Sequence, residues 1–131
     1  MRVLVCGSRT FGDSAVVDAM LDRWLRALPR GDTLTIVEGG ARGADHFAHV
    51  WASGCVNVQP VLHEQYRANW DQHGKAAGII RNRRMLNEGK PDVVFAFTDK
   101  PLEDSRGTLD MVTSAREAGV RVYHVQVLDG A

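Results

Sequence analysis

The sequence predicts an α/β fold three layers deep, with helices on both faces of a mostly parallel five-stranded sheet. Strand-like apolar runs alternate along the chain with segments whose apolar residues recur at intervals of three and four. That alternation builds parallel sheets joined by crossover helices. Two runs, Val3 to Cys6 and "DVVFAFT", are nearly unbroken apolar stretches, as strands covered on both faces require. A third, "VNVQPVLH", contains Pro60, which has no N–H to give a ladder and so belongs at a sheet edge.

Taken in order, Val3, Leu4, Val5 and Cys6 form the first strand, and Gly7 ends it. A helix follows with Asp13 as N-cap. Its stripe is Val17, Met20, Leu21, Trp24, Leu25 and Leu28, and Pro29 and Gly31 stop it. "TLTIVE" is strand two. "GADHFAHVWASG" is a helix with Ala44, Phe47, Ala48 and Trp51 on one side and Gly54 as its cap. "VNVQPVLH" is strand three. The polar-aromatic "EQYRANWDQHGKAAG" is irregular and leads into a helix around "IIRNRRMLNEG". "DVVFAFT" is strand four, "KPLEDSRG" a loop, "TLDMVTSAREAG" a helix closed by Gly119, and "VRVYHVQV" strand five. Right-handed crossovers leave few arrangements. The Rossmann-like order 3-2-1-4-5 puts strand three at an edge, where Pro60 is tolerated, and makes strands one and four neighbours.

The 131 residues are expected to form one domain, 1–131, large enough to bury a core. A composition 44% hydrophobic and 24% charged is that of a soluble globular protein. Sixteen basic residues against sixteen acidic leave no net charge, which argues against nucleic acid as the partner. No apolar run nears the roughly 20 residues of a bilayer span, so no membrane is expected, and "MRVLVCGSR" is too short in its apolar part for a secretory leader. Cys6 and Cys55 lie far apart without a C-x-x-C pair, so a cytoplasmic location with reduced thiols is expected.

The turn "EGGARGAD" after strand two lacks the Lys-Ser/Thr ending of a Walker A loop and is not G-x-G-x-x-G. It would nevertheless meet "GSRTFGD", after strand one, and "DSRGT", before the helix after strand four, at the carboxyl end of the sheet. Open α/β folds bind ligands there. Glycines let backbone N–H groups approach a ligand, and helix N-termini favour anions. The candidate ligand-binding residues are thus Gly7, Ser8, Arg9 and Thr10 on the first turn. Gly39, Gly40, Ala41, Gly43, Ala44 and Asp45 come from the second, and Gly107 and Thr108 from the third. Trp70, Arg81 and Asn82 join them.

Several of these have a plain alternative. Arg9 suits bidentate phosphate contact or simply faces solvent. Asp45 meets a ribose hydroxyl, a cation or a neighbouring arginine, or only its own helix. Trp70 stacks on a base or packs under its loop. Thr108 is a helix N-cap or a phosphate donor. Arg83 and Arg84 read as a solvated face. His46 and His49 share a helix face, but no third ligand is evident, so no metal site is expected. His63 and His73 flank the irregular segment without an assigned role. Cys6 reads as a small buried thiol at a strand end facing the pocket.

Together "CGSRTFGD", "EGGARGAD", "NWDQHGKAAGIIRN", "RRML", "GTLDMV" and "AREAGVRV" resemble the SLOG superfamily, and within it the YspA/YpsA-related branch of small standalone domains. The resemblance covers nearly the whole chain. It implies a nucleotide or nucleotide-derived ligand at the ends of the strands. Relatives include the LOG phosphoribohydrolases and DprA, which binds single-stranded DNA. Against the LOG pattern, Cys6-Gly7-Ser8-Arg9 is similar to the "CGSS" turn, and Gly39, Gly40 and Gly43 to the glycine-rich turn. Arg81 or a neighbour corresponds to the LOG arginine, and Asp104 to Thr108 to the P-G-G-x-G-T stretch. The LOG glutamate position holds Met111, with Asp110 about 100° round the helix. The carboxylate that assists glycosidic cleavage is therefore absent there.

The resemblance leads to a sensor or sequestering domain for a mononucleotide or ADP-ribose-like ligand. No cofactor is required, Mg entering only as a companion of phosphate. The alternatives are a nucleotide-processing hydrolase drawing on Asp45, Asp71 or Asp110, and a single-stranded DNA-binding module of the DprA kind. A homo-oligomer is also expected, because the superfamily tends to dimerise.

Overall fold

The computed structural model describes residues 1–54 and 60–128. Its strands are β1 (Arg2–Gly7), β2 (Leu34–Glu38), β3 (Val61–Gln65), β4 (Val93–Thr98) and β5 (Arg121–Gln126). They form one sheet in the order β3-β2-β1-β4-β5 with every pairing parallel, which is the order expected. The helices are α1 (Ser14–Ala27), α2 (Ala44–Gly54), α3 (Trp70–His73), α4 (Ala77–Asn87) and α5 (Arg106–Glu117).

Alternation along the strands divides the core into two layers. Val3, Val5, Ile36, Phe95 and Phe97 pack with α1 and α2, while Leu4, Cys6, Val37, Val94 and Ala96 pack with Met85 of α4 and Met111, Val112 and Ala115 of α5. Every residue of β2 and β4 is buried, whereas β3 and β5 are only partly so. This is the pattern of central strands sandwiched between helices and flanked by two edges. In α1, Asp13 caps by accepting from the Val16 N–H, and Val17, Leu21 and Leu25 are buried with Met20, Trp24 and Leu28 beside them.

One polar contact ties α1 to α2. The indole N–H of Trp51 donates to the Asp22 carboxylate at 2.8 Å, and Trp51 itself is buried. Asp22→Ala is expected to cost about 1–2 kcal/mol in a urea titration, because it strands that N–H. Asp22→Asn, which keeps an acceptor, should recover most of the loss. Equal losses in the two variants would refute the role given to the bond.

Three elements depart from the sequence expectation. β3 begins after Pro60 and runs on to Gln65, two residues beyond the expected end. The proline stands outside the ladder, yet its carbonyl accepts from the Leu34 N–H at 3.1 Å. The remainder of the expected strand, Val56 to Gln59, lies outside the described residues, as does Cys55. The supposedly irregular segment contains α3, started by the Asn69 side chain accepting from the Gln72 N–H at 3.0 Å, and a 3-10 turn at Gly74–Ala76 that runs into α4. α5 starts at Arg106, so its N-cap is Ser105 and Thr108 is its third residue. The reading of Thr108 as N-cap is therefore corrected.

Candidate functional site

β1, β2 and β4 lie at the middle of the sheet, so the turns leaving them meet at its carboxyl edge. There they border a cavity of about 620 Å³, a size typical of small-molecule sites. Cys6, Gly7 and Met85 line it from the sheet and α4, Arg9 and Thr10 from the first turn, and Asp45 from the start of α2. Arg81 and Asn82 contribute from α4, Trp70 from α3, and Ser105 to Thr108 from the start of α5. A smaller depression of about 270 Å³ shares Arg9, Ala41, Trp70 and Arg81 with the cavity and adds Gly39 and Gly40. Of the site residues expected from sequence, Gly43 and Ala44 line neither. Ala44 is fully buried.

In the glycine turn after β2, three N–H groups have acceptors within the chain. The Gly39 N–H donates to Asp45 Oδ2 at 2.9 Å, the Ala41 N–H to the same oxygen at 3.5 Å, and the Gly40 N–H to Glu38 Oε1. Short acidic side chains fold back onto nearby backbone in this way. What the glycines supply is close approach. A Cβ on Gly39 would strike the Arg81 guanidinium, and one on Gly43, whose φ is +82°, would strike the Ser8 carbonyl oxygen. Gly7 likewise faces the Phe97 carbonyl oxygen and the Ala44 methyl. The first two turns are thus locked together by residues without side chains.

Other expected ligand donors are partly engaged as well. Ser8 Oγ donates to Asp99 Oδ1 at 3.0 Å. Hydrogen bonds from the Thr10 hydroxyl first, and then from Ser8, hold Asp99 below the usual carboxylate range in spite of its partial burial. Asn82 is buried, and its amide donates to the Gly107 carbonyl and Asp110 Oδ2, both at 3.1 Å, while its oxygen accepts from Arg81 Nε at 3.1 Å. It acts as a brace between α4 and α5. Arg81 Nη1 donates to the Gly39 carbonyl, so its guanidinium stands between the cavity and the glycine turn. Arg83 is not merely solvated, since it forms a two-pronged pair with Asp110 at 3.0 and 3.1 Å. Arg84 pairs with Glu88 at 2.9 Å and lies over the Tyr66 ring.

Positive charge is concentrated at the cavity although the chain is neutral. Arg9, Lys75, Arg81, Lys100 and Arg106 line it, against Asp45 and Asp104. Lys75, Lys100 and Arg106 were not picked out from sequence. The signal for two of them was position, because Lys100 lies two residues past the end of β4 and Arg106 opens α5. The first turn of α5 has no side-chain cap. The Ser105 hydroxyl instead donates to Thr108 Oγ1 at 3.0 Å. An uncapped helix start beside several cations is a favourable place for an anion. Trp70 is half exposed, and the Arg9 guanidinium lies 5.3 Å from its ring centre, so a broad aromatic face stands at the rim.

The carboxylates divide clearly. Asp45 is almost wholly buried and lines the cavity. Burial pushes its carboxyl up to about 6, with the Arg81 guanidinium and the Gly39 N–H limiting the rise. Asp110 is held by Asn82 and Arg83, and Asp71 sits on α3; neither lines the cavity. Met111, at the LOG glutamate position, is fully buried in the core. Burial also raises the Cys6 thiol well above its usual range, with Asp45 adding to the effect, which leaves it a poor nucleophile.

The histidines depart from expectation. His49 has no close ligand on its own helix face beyond His46, but the fold brings two distant residues to it. Glu38, His49 and His63 present atoms all within 4.8 Å of one another, a cluster that could coordinate a metal ion. Sequence spacing gave no hint of it, because the three come from β2, α2 and β3.

Residues 1–73 match the model of the YspA, cpYpsA-related SLOG family. The chain belongs to this family. Across 128 residues it is also 45% identical to the Gene 61 protein of Mycobacterium phage D29, covering 94% of each chain. The SLOG match takes in β1, β2 and the turns that follow them as well as Trp70, and it ends before Arg81 and α5. Among the described residues no helix is long and apolar enough to cross a membrane. A SLOG, Rossmann-like fold with an open cavity at its carboxyl edge is consistent with binding of a small molecule or nucleotide.

Proposed function

We propose that this protein binds a nucleotide or nucleotide-derived, phosphate-bearing small molecule in the 620 Å³ cavity, as a sensor or sequestering domain. The observation that carries the reading is the concentration of cations around an uncapped helix start, in a chain with no net charge. In this reading Arg9, Lys100 and Arg106 neutralise phosphate and the first-turn N–H groups of α5 donate to it. Trp70 takes the base on its exposed face. A Mg ion, if present, accompanies the phosphate.

The test is calorimetric titration with a panel of mononucleotides, dinucleotides and ADP-ribose. At least one should bind at a single site. Arg9→Ala and Trp70→Ala should each weaken that binding by roughly tenfold to a hundredfold, the loss of one charge-assisted contact or one stacked base. The same variants should unfold at nearly the wild-type urea concentration. A panel without a binder, or binding indifferent to both substitutions, would remove the proposal.

A second reading, cleavage of the bound nucleotide, draws its support from Asp45. It is the carboxylate whose burial and pKa of about 6 suit proton transfer near neutrality. Mass spectrometry of the incubated panel separates the two, since only an enzyme converts its ligand. For single-stranded DNA, binding would have to weaken steeply with added salt.

A further inference from the structure

β2 ends in Glu38, whose side chain is fully buried. Among the described residues its ion-pair partners are two imidazoles, His63 Nε2 at 2.7 Å and His49 Nδ1 at 3.9 Å. A buried carboxylate needs a compensating charge, and neither lysine nor arginine supplies one. We propose that Glu38, His49 and His63 form a site for a divalent transition-metal ion of the zinc class, distinct from the ligand cavity. None of the three lines that cavity or its neighbour.

The geometry supports this on three counts. The remaining edge of the triangle, His49 Nδ1 to His63 Nε2, is 3.4 Å. Metal–ligand bonds of about 2.0–2.1 Å in a tetrahedron set ligand atoms roughly 3.3 Å apart. The observed edges bracket that spacing, so small side-chain shifts complete the site. The donor set, two imidazoles and one carboxylate, suits zinc or cobalt and not magnesium, which takes oxygen ligands. Finally, the carboxylate is already oriented. Gly40 N–H holds Oε1, and the Gln65 amide donates to Oε2 at 2.8 Å, the outer support that metal-binding carboxylates require.

Each ligand comes from a different element. Glu38 and Gln65 are register partners on β2 and β3, as are Ile36 and His63, and α2 brings His49 to them. His49 is 42% exposed, so the ion has an open position toward solvent.

The full chain, stripped with chelator, is titrated with Co²⁺ and Zn²⁺ in competition with a chromophoric chelator. One equivalent should bind, with the visible absorption of four- or five-coordinate cobalt. His49→Ala and His63→Gln should each weaken binding at least tenfold, while His46→Ala changes it less than threefold. His46 is exposed, with its ring 6.4 Å from that of His49, and serves as the control for a surface histidine pair. Circular dichroism of His49→Ala, a substitution on a partly exposed helix face, confirms that loss of metal is not loss of fold. Absence of stoichiometric binding would overturn the proposal. So would binding that survives His63→Gln but is lost in His46→Ala.

Discussion

Gly43→Ala is expected to lower stability by about 2–4 kcal/mol, among the largest single effects in the molecule. Gly43 has a φ of +82°, which alone costs an L-residue about 1–2 kcal/mol. The added Cβ would also press on the Ser8 carbonyl oxygen, a backbone atom that cannot swing away as a side chain can. Relief requires the first and second turns to separate, and those turns border the cavity. Urea titration measures the loss, and Gly12→Ala is the control. Gly12 sits in the neighbouring loop with nothing near its would-be Cβ, so its substitution should stay within about 0.5 kcal/mol of wild type. If both alanines behaved alike, close packing of the turns would not be the reason for Gly43.

Asp45→Asn is expected to change the pH dependence of stability. The folded-state carboxyl stands at about 6, above its ordinary value of 3.8. Its contribution is therefore most favourable below 3.8, where the group is protonated in both states, and is lost as pH rises through about 6. By pH 7 the loss is on the order of 3 kcal/mol. Asparagine keeps an acceptor for the Gly39 N–H and has no proton to lose. The variant should exceed wild type in stability by up to ~3 kcal/mol at pH 7, and the gap should close toward pH 4. A gap of equal size at both pH values would contradict the cause assigned here. The same substitution bears on binding, because ionised Asp45 repels an anion in the cavity. Wild-type affinity should improve relative to the variant as pH falls below about 6.

Much of the fold was legible in the sequence because burial imposes periodicity. The stripe Val17, Leu21 and Leu25 and the unbroken run of β4 are what a helix against a sheet and a doubly covered strand must look like. Pro60 correctly marked the edge strand, although it precedes the ladder and does not interrupt it. α3 escaped notice because one turn of helix has no period to display, and its start depends on the Asn69 side chain. The site was legible in outline for the same topological reason, since turns after neighbouring strands have to meet. The roles of its residues were not. Asn82, a ligand donor in the sequence reading, lines the cavity and also braces α4 against α5, while Lys100 lies outside every motif quoted above.

Local pattern was enough for the α/β class, the strand order and the edge at which the loops gather, because these follow from alternation, chirality and one proline. Tertiary structure decided which polar groups satisfy one another. It turned the glycine turn inward onto Asp45 and Glu38 and left charge free at the start of α5. It also brought Glu38, His49 and His63 together from three elements. Hydrogen bonds and ligand sets are settled by distances of a few ångströms between residues remote in the chain, and no local pattern encodes them.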